Sequence, residues 1–559
     1  MNPFLRRGPL ELPIETIVFR SGDPSLSARL IGRASDGLTV IPCRDMFCCG
    51  FWEATLQPGA AYNVRLERRT RFQYGNQIDS YRAHQPLVER PSFFADRFLL
   101  PQRLELSRAP NLEVIFLGGM AEAGSRACAL VIHQDQAILV DCGLNVAALG
   151  QDEVKLDEES DPEDILALKK PILLPDFERL AEVFQGGVKL AGIFLTHGHL
   201  DHYGGIPHLV ERFWKDQRPP PIYSGAFTCS MLSHHAGQRG LDYLPMVHLK
   251  HGQEVEVGPF QVLPFEVPHS VPDSFGFSIG VQGKQRIVFA GDLKVHFRTA
   301  RDYFDTVEIL RGLPETRLLI LDSTNAAVPG WSGLEQEVEE GWKEVIARAP
   351  GRVIITFFST RLDRLRLAAE LAGKFKRSIG VWGTSFDPVI QAGENRGWTL
   401  PLARQNVADC DIIIVTGCQA QTNSVAWGLS QGQTRGGIMI EDNDTIILSA
   451  MPIPGRRGPV RQMLEGFLTL GVNNLWVDHD HQNAPLVCKR TRTHVSGHGF
   501  QEDLRTVIER LQPQFLVPYH GTPRAMMALA ELAIDPDTDT PMTAQDIVLF
   551  AENGGSITI

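Results

Sequence analysis

The sequence lacks any run of about 20 apolar residues, and its start (Met1-Asn2-Pro3-Phe4-Leu5-Arg6-Arg7) leads into a mixed polar stretch with no apolar h-region. Both absences argue against membrane spanning and export. Paired CxxC spacing is missing as well. The nine cysteines are odd in number and scattered over positions 43, 48, 49, 128, 142, 229, 410, 418 and 488, so neither a disulfide framework nor a zinc ribbon is expected, and a reducing cytoplasm is the default compartment. Nor is there a surplus of positive charge: 54 Lys+Arg stand against 66 Asp+Glu, a formal net charge of −12. Nucleic-acid binding by bulk charge is thereby excluded, and any phosphate-binding surface has to be local. No internal repeat or low-complexity tract occurs. A hydrophobic fraction of 43% over 559 residues is ordinary for about three or four globular domains.

What the chain does have is metal-ligand chemistry concentrated in Thr196-His197-Gly198-His199-Leu200-Asp201-His202-Tyr203-Gly204-Gly205. An apolar run (Ile193, Phe194, Leu195) that reads as a buried strand precedes it, and a helix-like segment follows. Neutral imidazole and carboxylate suit a borderline ion such as zinc. His197 and His199 can turn toward one ion while Asp201 and His202 reach a second. A solvated His-rich loop would not interleave these residues with glycines at a strand end.

Residues 12–75 carry short β-prone runs (Thr16 to Arg20, Leu38 to Ile41, Tyr62 to Leu66) divided by Gly, Pro and Asp, and a Pro- and Arg-containing connector, Leu87 to Pro110, follows. Arg65, Arg68, Arg69 and Arg71 lie among Tyr62, Phe72 and Tyr74, which fits either a solvated strand surface or a single-stranded nucleic-acid face. Cys43 to Cys49 has no second half for a metal hook and reads as core. From Asn111 strands alternate with helices. Gly118 to Gly124 superficially resembles a dinucleotide-binding loop, but a strand rather than a helix follows it. Asp164 to Lys169 and Asp176 to Phe184 are helix candidates. Acids and histidines then recur just past apolar strands, at Asp141, His269, Asp292, Asp322 and His520. That is how an α/β layer protein gathers a site along one sheet edge. Residues 331–490 repeat the alternation as a second α/β block, with polar turns suited to phosphate at Phe358-Ser359-Thr360, Thr416-Gly417-Cys418-Gln419 and Ser449 to Arg457.

His197-Gly198-His199-Leu200-Asp201-His202 has the HxHxDH form and resembles the signature of the metallo-β-lactamase superfamily. Five later motifs, Asp322-Ser323-Thr324-Asn325-Ala326, Thr416-Gly417, Pro452-Ile453-Pro454-Gly455, His494-Val495-Ser496-Gly497-His498 and Pro518-Tyr519-His520-Gly521, together resemble the β-CASP nucleases of the ribonuclease J type. The ending, Ala551 to Gly555, is similar to the strand that closes that family's catalytic domain. The resemblance implies an α/β protein with a four-layer αββα fold. Its metallo-β-lactamase domain would occupy 109–330 and 491–559, with an inserted β-CASP domain at 331–490 and an extra β-rich domain of unknown role at 1–108.

It also implies two zinc ions, or manganese in their place. His197, His199 and His269 would hold one, Asp201, His202 and His520 the other, and Asp292 would bridge them. Two such ions lower the pKa of a bridging water and brace the oxygens of an in-line displacement at phosphorus. Asp201 would also orient the nucleophile, and Asp141 would brace the ligand loop from behind. By motif position His498 is the proton donor to the leaving 3′ oxygen, Asp322 orients it, and His494 either contacts the phosphate or anchors its loop. Ser359, Thr416, Gly417, Ser496 and Gly497 are the expected phosphate- and RNA-binding positions.

The implied activity is zinc-dependent hydrolysis of single-stranded RNA, 5′ to 3′ as an exonuclease and also as an endonuclease. The alternatives are a DNA nuclease of the same fold and a catalytically silent scaffold subunit. His520 favours RNA, because the DNA-cutting members lack His at that motif. Arg456, Arg457, Arg461, Lys489, Arg490 and Arg492 form the local basic surface expected to bind the RNA backbone. His479 and His481 match no ligand position and read as a surface or interface loop. Two departures from the family are visible. Its usual C-terminal domain does not follow the last strand, which bears on homodimerisation, and Cys418 and Ala420 replace the common residues of Thr-Gly-Ser-Gln-Gly. The N-terminal domain is a candidate contact for a protein partner.

Overall fold

The computed structural model describes strands within residues 14–105, without their side chains, and residues 112–559 apart from 123–125, 147–172, 242, 282–285, 299–302, 454, 534–545 and 549–552. The Arg65 to Arg71 side chains, the Cys43 to Cys49 side chains and the helix expected over Asp164 to Lys169 lie outside the described residues. The N-terminal strands make an antiparallel sheet in the order Ile14–Arg20, Ser25–Gly32, Ala61–Gln73, Asn76–Ala83, and a separate pair, Leu38–Cys43 with Gly50–Thr55.

Two eight-stranded sheets follow. The first runs Met246–His248, Ile222–Ser224, Lys189–Phe194, Gln136–Val140, Cys128–His133, Glu113–Gly118, Ser556–Thr558, Arg103–Glu105. The second runs Val255–Val257, Phe260–Glu266, Phe275–Val281, Arg286–Phe289, Thr316–Asp322, Phe515–Tyr519, Asp546–Val548, Phe98–Leu99. Alternation along Glu113–Gly118 explains the layering. Val114 and Phe116 enter the core shared with Phe260, Phe277 and Ile279 of the second sheet. Ile115 and Leu117 face Leu180, Ile206 and Phe227 of the helices Phe177–Gln185, Ile206–Phe213 and Ala226–Gly237. The second sheet is covered by Gln501–Leu511 and Pro523–Leu532 through Leu504, Val507, Met526 and Leu529. Helices therefore flank two face-to-face sheets.

A third, wholly parallel sheet has the order Ile379–Trp382, Ile412–Val415, Val353–Thr356, Thr445–Leu448, Asn474–Val477, Lys489–Arg490. Both of its faces are buried, as its near-continuous Ile and Val runs require. One packs under Val338, Trp342, Leu365 and Ala368, the other under Val460, Leu464 and Phe467.

Strand direction is what gathers the site. Arg286–Phe289, Thr316–Asp322 and Phe515–Tyr519 pair in parallel, so the residues at or just past their carboxyl ends, Asp292, Asp322 and His520, share one edge. Gln136–Val140 and Lys189–Phe194 are also parallel, which brings Asp141 beside Thr196 and the histidines after it.

Candidate metal centre

Nine side chains converge where the two sheet edges meet. Their ligand atoms fall into overlapping groups, each with its atoms within 4.8 Å of one another: His197, His199 and His269; Asp201, His202 and His520; His197, His202 and Asp292; and Asp292, Asp322, His498 and His520. Asp292 lies at the middle, its Oδ2 3.2 Å from His202 Nε2, 3.6 Å from His197 Nε2, 3.8 Å from His498 Nε2 and 3.9 Å from His269 Nε2. Asp201 Oδ2 is 3.4 Å from His520 Nε2.

Hydrogen bonds around the rim fix which ring nitrogens face inward. His202 Nδ1 donates to Asp141 Oδ2 (2.8 Å), His269 Nδ1 to the Gly497 carbonyl (2.9 Å), and His520 Nδ1 to Thr324 Oγ1 (3.1 Å). In each ring the proton is taken on the outside, and the lone pair of Nε2 points at its neighbours. His202 Nε2 and His520 Nε2 are 2.9 Å apart, as are His197 Nε2 and His199 Nδ1. Lone pairs so close repel one another unless a cation lies between them, so this donor set fits divalent metal. Burial keeps His197 and His269 well below the ordinary imidazole range and lowers His199 to about 4. Neutral rings are what coordination needs; at His202 and His520 burial opposes a charge, but the carboxylates, Asp292 foremost, outweigh it and raise the imidazoles, so a cation bound there would displace a proton.

The backbone is specialised here. Asp141 and His520 adopt positive φ (59° and 55°), uncommon for residues with a Cβ. Asp141 Oδ1 accepts from Thr196 N (2.7 Å) and its Oδ2 from Thr196 Oγ1 (2.8 Å), which clamps the start of the ligand loop. A Cβ on Gly143 would fall 1.7 Å from the Asp201 carbonyl oxygen, so only glycine lets that loop close. Thr196 and Thr324 had no role assignable from sequence, because each acts through a single hydroxyl.

On the other rim, His498 Nδ1 donates to Asp322 Oδ2 at 2.7 Å, and Asp322 Oδ1 accepts from Thr324 N (2.8 Å) and Thr324 Oγ1 (2.7 Å). Burial opposes a charge on His498, but the Asp322 and Asp292 carboxylates outweigh it and raise the imidazole to about 9. His494 is arranged oppositely. Its Nδ1 accepts from Arg364 Nη1 (3.0 Å), which leaves the proton on Nε2, and burial beside the Arg364 cation holds the ring well below its usual range.

Ser496 Oγ accepts from Asn325 Nδ2 (2.8 Å) and from His498 N (3.0 Å). A Cβ on Gly497 would fall 2.8 Å from Ser270 Cβ and 3.0 Å from His269 Nδ1. The structure places Ser359, Thr416 and Gly417 elsewhere, past the carboxyl ends of the neighbouring strands Val353–Thr356 and Ile412–Val415 of the third sheet. Gln419 braces the turn beside them, with Nε2 on Met451 O (2.9 Å) and Oε1 receiving Ile453 N (2.8 Å).

Two expectations hold only in part. Of the pair read as a surface or interface loop, His479 is exposed but His481 is 1% exposed, as is Asp478, whose Oδ2 accepts from Thr493 N (2.9 Å) and His494 N (2.8 Å). A carboxylate that caps main-chain amides of the His494 loop has to be internal. The expected basic surface is also partly engaged within the chain, while Arg461, its side chain 54% exposed, and Lys489 stay at the surface. Arg490 donates to the carbonyls of Asp478, His479 and His481, Arg492 pairs with Asp478 and Asp480, Arg461 with Glu465, Lys489 binds Asn474 Oδ1, and Arg456 is 7% exposed. Nearby acids and carbonyls, invisible in a local count of Lys and Arg, engage these cations.

Residues 121–349 match the profile of the metallo-beta-lactamase superfamily, 350–467 that of the ribonuclease J beta-CASP domain, and 483–541 that of the Zn-dependent metallo-hydrolase RNA specificity domain. The chain is 29% identical to Ribonuclease J 1 of Streptococcus pyogenes over 444 residues, covering 77% of this chain and 72% of the relative. It is 29% identical to Ribonuclease J of Thermus thermophilus over 458 residues (79% and 73%) and 28% identical to Ribonuclease J of Mycobacterium tuberculosis over 459 (80% and 74%). A crystal structure of a protein of unknown function from Enterococcus faecalis shares the fold, with a TM-score of 0.52 and 17% identity over 80% of this chain and 100% of that one.

Proposed function

As the chain belongs to the metallo-β-lactamase superfamily and carries a ribonuclease J-type β-CASP domain, we propose that it is a metal-dependent ribonuclease that hydrolyses phosphodiesters of single-stranded RNA. The observation that carries the reading is the pairing of a seven-residue ligand set (His197, His199, Asp201, His202, His269, Asp292, His520) with a separate Asp322–His498 dyad 2.7 Å long on its rim. The ligand set suits two zinc ions, with manganese as a substitute. When bound, such ions acidify a water and offset charge on the phosphate.

The chain's own residues do the rest. Asp201, on the half-exposed side of the ligand set, accepts a hydrogen bond from the attacking water and orients it. His498 delivers the proton on Nε2 to the 3′ oxygen as the P–O bond breaks, while Asp322 holds the opposite nitrogen. His494, with its proton kept on Nε2 by Arg364, donates to a phosphate oxygen. Ser359, Thr416, Gly417, Ser496 and Gly497 line the path of the strand, and cleavage proceeds from the 5′ end with internal cuts as a second mode. The six described cysteines are all free thiols, which supports a reducing cytoplasm as the site of action. Among the described residues no helix is long and apolar enough to cross a membrane.

End-labelled RNAs with 5′ monophosphate, triphosphate or hydroxyl, beside matched DNA, test the reading. RNA should be degraded, fastest from the monophosphate, and Asp201→Ala should abolish cutting. Faster degradation of the DNA would contradict it.

A further inference from the structure

Three cations and a carboxylate are buried together behind the loop that carries His498. Lys294, two residues past Asp292, has 0% exposure, and its Nζ donates to the carbonyl oxygens of Gly333 (3.0 Å) and Ser496 (3.1 Å). Arg364, 1% exposed, donates to Ser449 Oγ (2.7 Å), His494 Nδ1 (3.0 Å) and the Val495 carbonyl (3.3 Å). Glu335 lies against all the cations, 2.5 Å from Arg361 Nη2, 3.4 Å from Arg364 Nη2 and 3.9 Å from Lys294 Nζ.

Burying an ammonium to hold two main-chain carbonyls is a poor way to gain stability, since an apolar side chain of similar length avoids the desolvation. What the arrangement provides is position. Ser496 is held at its carbonyl by Lys294 and at its hydroxyl by Asn325, and that hydroxyl in turn receives the amide of His498. We infer that Lys294 is a positioning residue for proton transfer: by anchoring the Ser496 carbonyl it sets His498 against the leaving oxygen, with Glu335 holding Lys294 in place. The inference rests on the reading of His498 as the acid.

The step it serves is the break of the P–O3′ bond: the water oxygen joins phosphorus and gives up its proton to the Asp201 carboxylate, the P–O3′ pair leaves on the 3′ oxygen, and the His498 proton goes to that oxygen. If sulfur replaces that bridging oxygen, the thiolate leaves without a proton, and the acid is no longer needed. The test therefore compares full-length wild type, Lys294→Met, Lys294→Gln and His498→Ala, each checked for melting temperature and metal content, on two RNAs that differ only in one 3′-bridging oxygen or sulfur.

Lys294→Met should lower the rate about 100-fold at the oxygen linkage and less than about 3-fold at the sulfur linkage, the split also expected of His498→Ala. Lys294→Gln, which keeps one donor, should show the same pattern in weaker form and serves if the Met variant does not fold. Equal losses at both linkages for the Lys294 variants, with the split kept in His498→Ala, would overturn the role of Lys294 alone. A wild-type rate at the oxygen linkage in Lys294→Met would do the same. Equal losses in His498→Ala would overturn the acid assignment itself.

Discussion

Asp322 and His498 are separated by 176 positions in sequence yet joined by a 2.7 Å hydrogen bond, and the proposed chemistry turns on that contact. Replacing Asp322 by Asn keeps the shape but presents an amide that no longer fixes the proton on Nδ1 or stabilises the charged ring. RNA turnover should fall by about 10²–10⁴-fold with metal content unchanged, measured by single-turnover cleavage and elemental analysis. An unchanged rate would remove Asp322 from the mechanism. Gly497→Ala makes a complementary prediction. Its Cβ would press on Ser270 Cβ and the His269 ring, so the variant should bind metal at least about 10-fold more weakly, as loss of a ligand's orienting contact does, with the fold retained. Metal-binding titration reads this directly.

At this scale the residues that could hold metal were legible, because four of them sit within six positions and imidazole and carboxylate have few other reasons to alternate so densely. Lys294, Arg364 and Asp478 were not. Each acts on main-chain groups of a distant loop, and nothing in the residues beside them marks that.

The helix Glu335–Arg348 begins with a buried carboxylate, and this gives the element a pH signature. Burial opposes the charge on Glu335, but Arg361, Arg364 and Lys294 outweigh it and hold the group well below the usual carboxylate range. The folded pKa is thus lower than the unfolded value of about 4.3. As pH falls the unfolded chain takes up the proton first, so the contribution is whole above roughly pH 5 and is lost progressively below it. Glu335→Gln should be less stable by about 3–5 kcal/mol at pH 7, because three cations lose their shared partner. The gap from wild type should narrow as pH drops from 5 toward 3. Urea denaturation at stepped pH checks this, and a gap independent of pH would contradict it.

Elements themselves read well from sequence. The helix expected over Asp176 to Phe184 is Phe177–Gln185, with Asp176 as its N-cap, and the apolar run before the ligand-rich loop lies at the end of the strand Lys189–Phe194. Arg361 stands at the N-cap of the helix Leu362–Phe375, with its guanidinium turned into the Glu335 pair. Long-range pairing left no local trace.

For the whole molecule, the strands Phe98–Leu99 and Arg103–Glu105 matter because they complete the edges of the two large sheets. A chain beginning at residue 96 keeps both strands, whereas one beginning at residue 112 exposes two sheet edges. The longer form should retain the melting temperature of the catalytic unit and its RNA hydrolysis. The shorter should melt lower and aggregate, as scanning calorimetry and light scattering would record. Equal behaviour of the two would place those edge strands outside the folding unit.

The four-layer arrangement was accessible from sequence only through the resemblance carried by the motifs, since strand order depends on contacts between Ser556–Thr558, near the end of the chain, and Glu113–Gly118. The central claim concerns the centre that this order assembles. It is tested most directly by stripping the protein with chelator and titrating zinc back while following cleavage of 5′-monophosphorylated RNA. The expected result is no activity without metal, a rise as ions are restored and a plateau at two per chain. Full activity in the stripped protein would contradict the account.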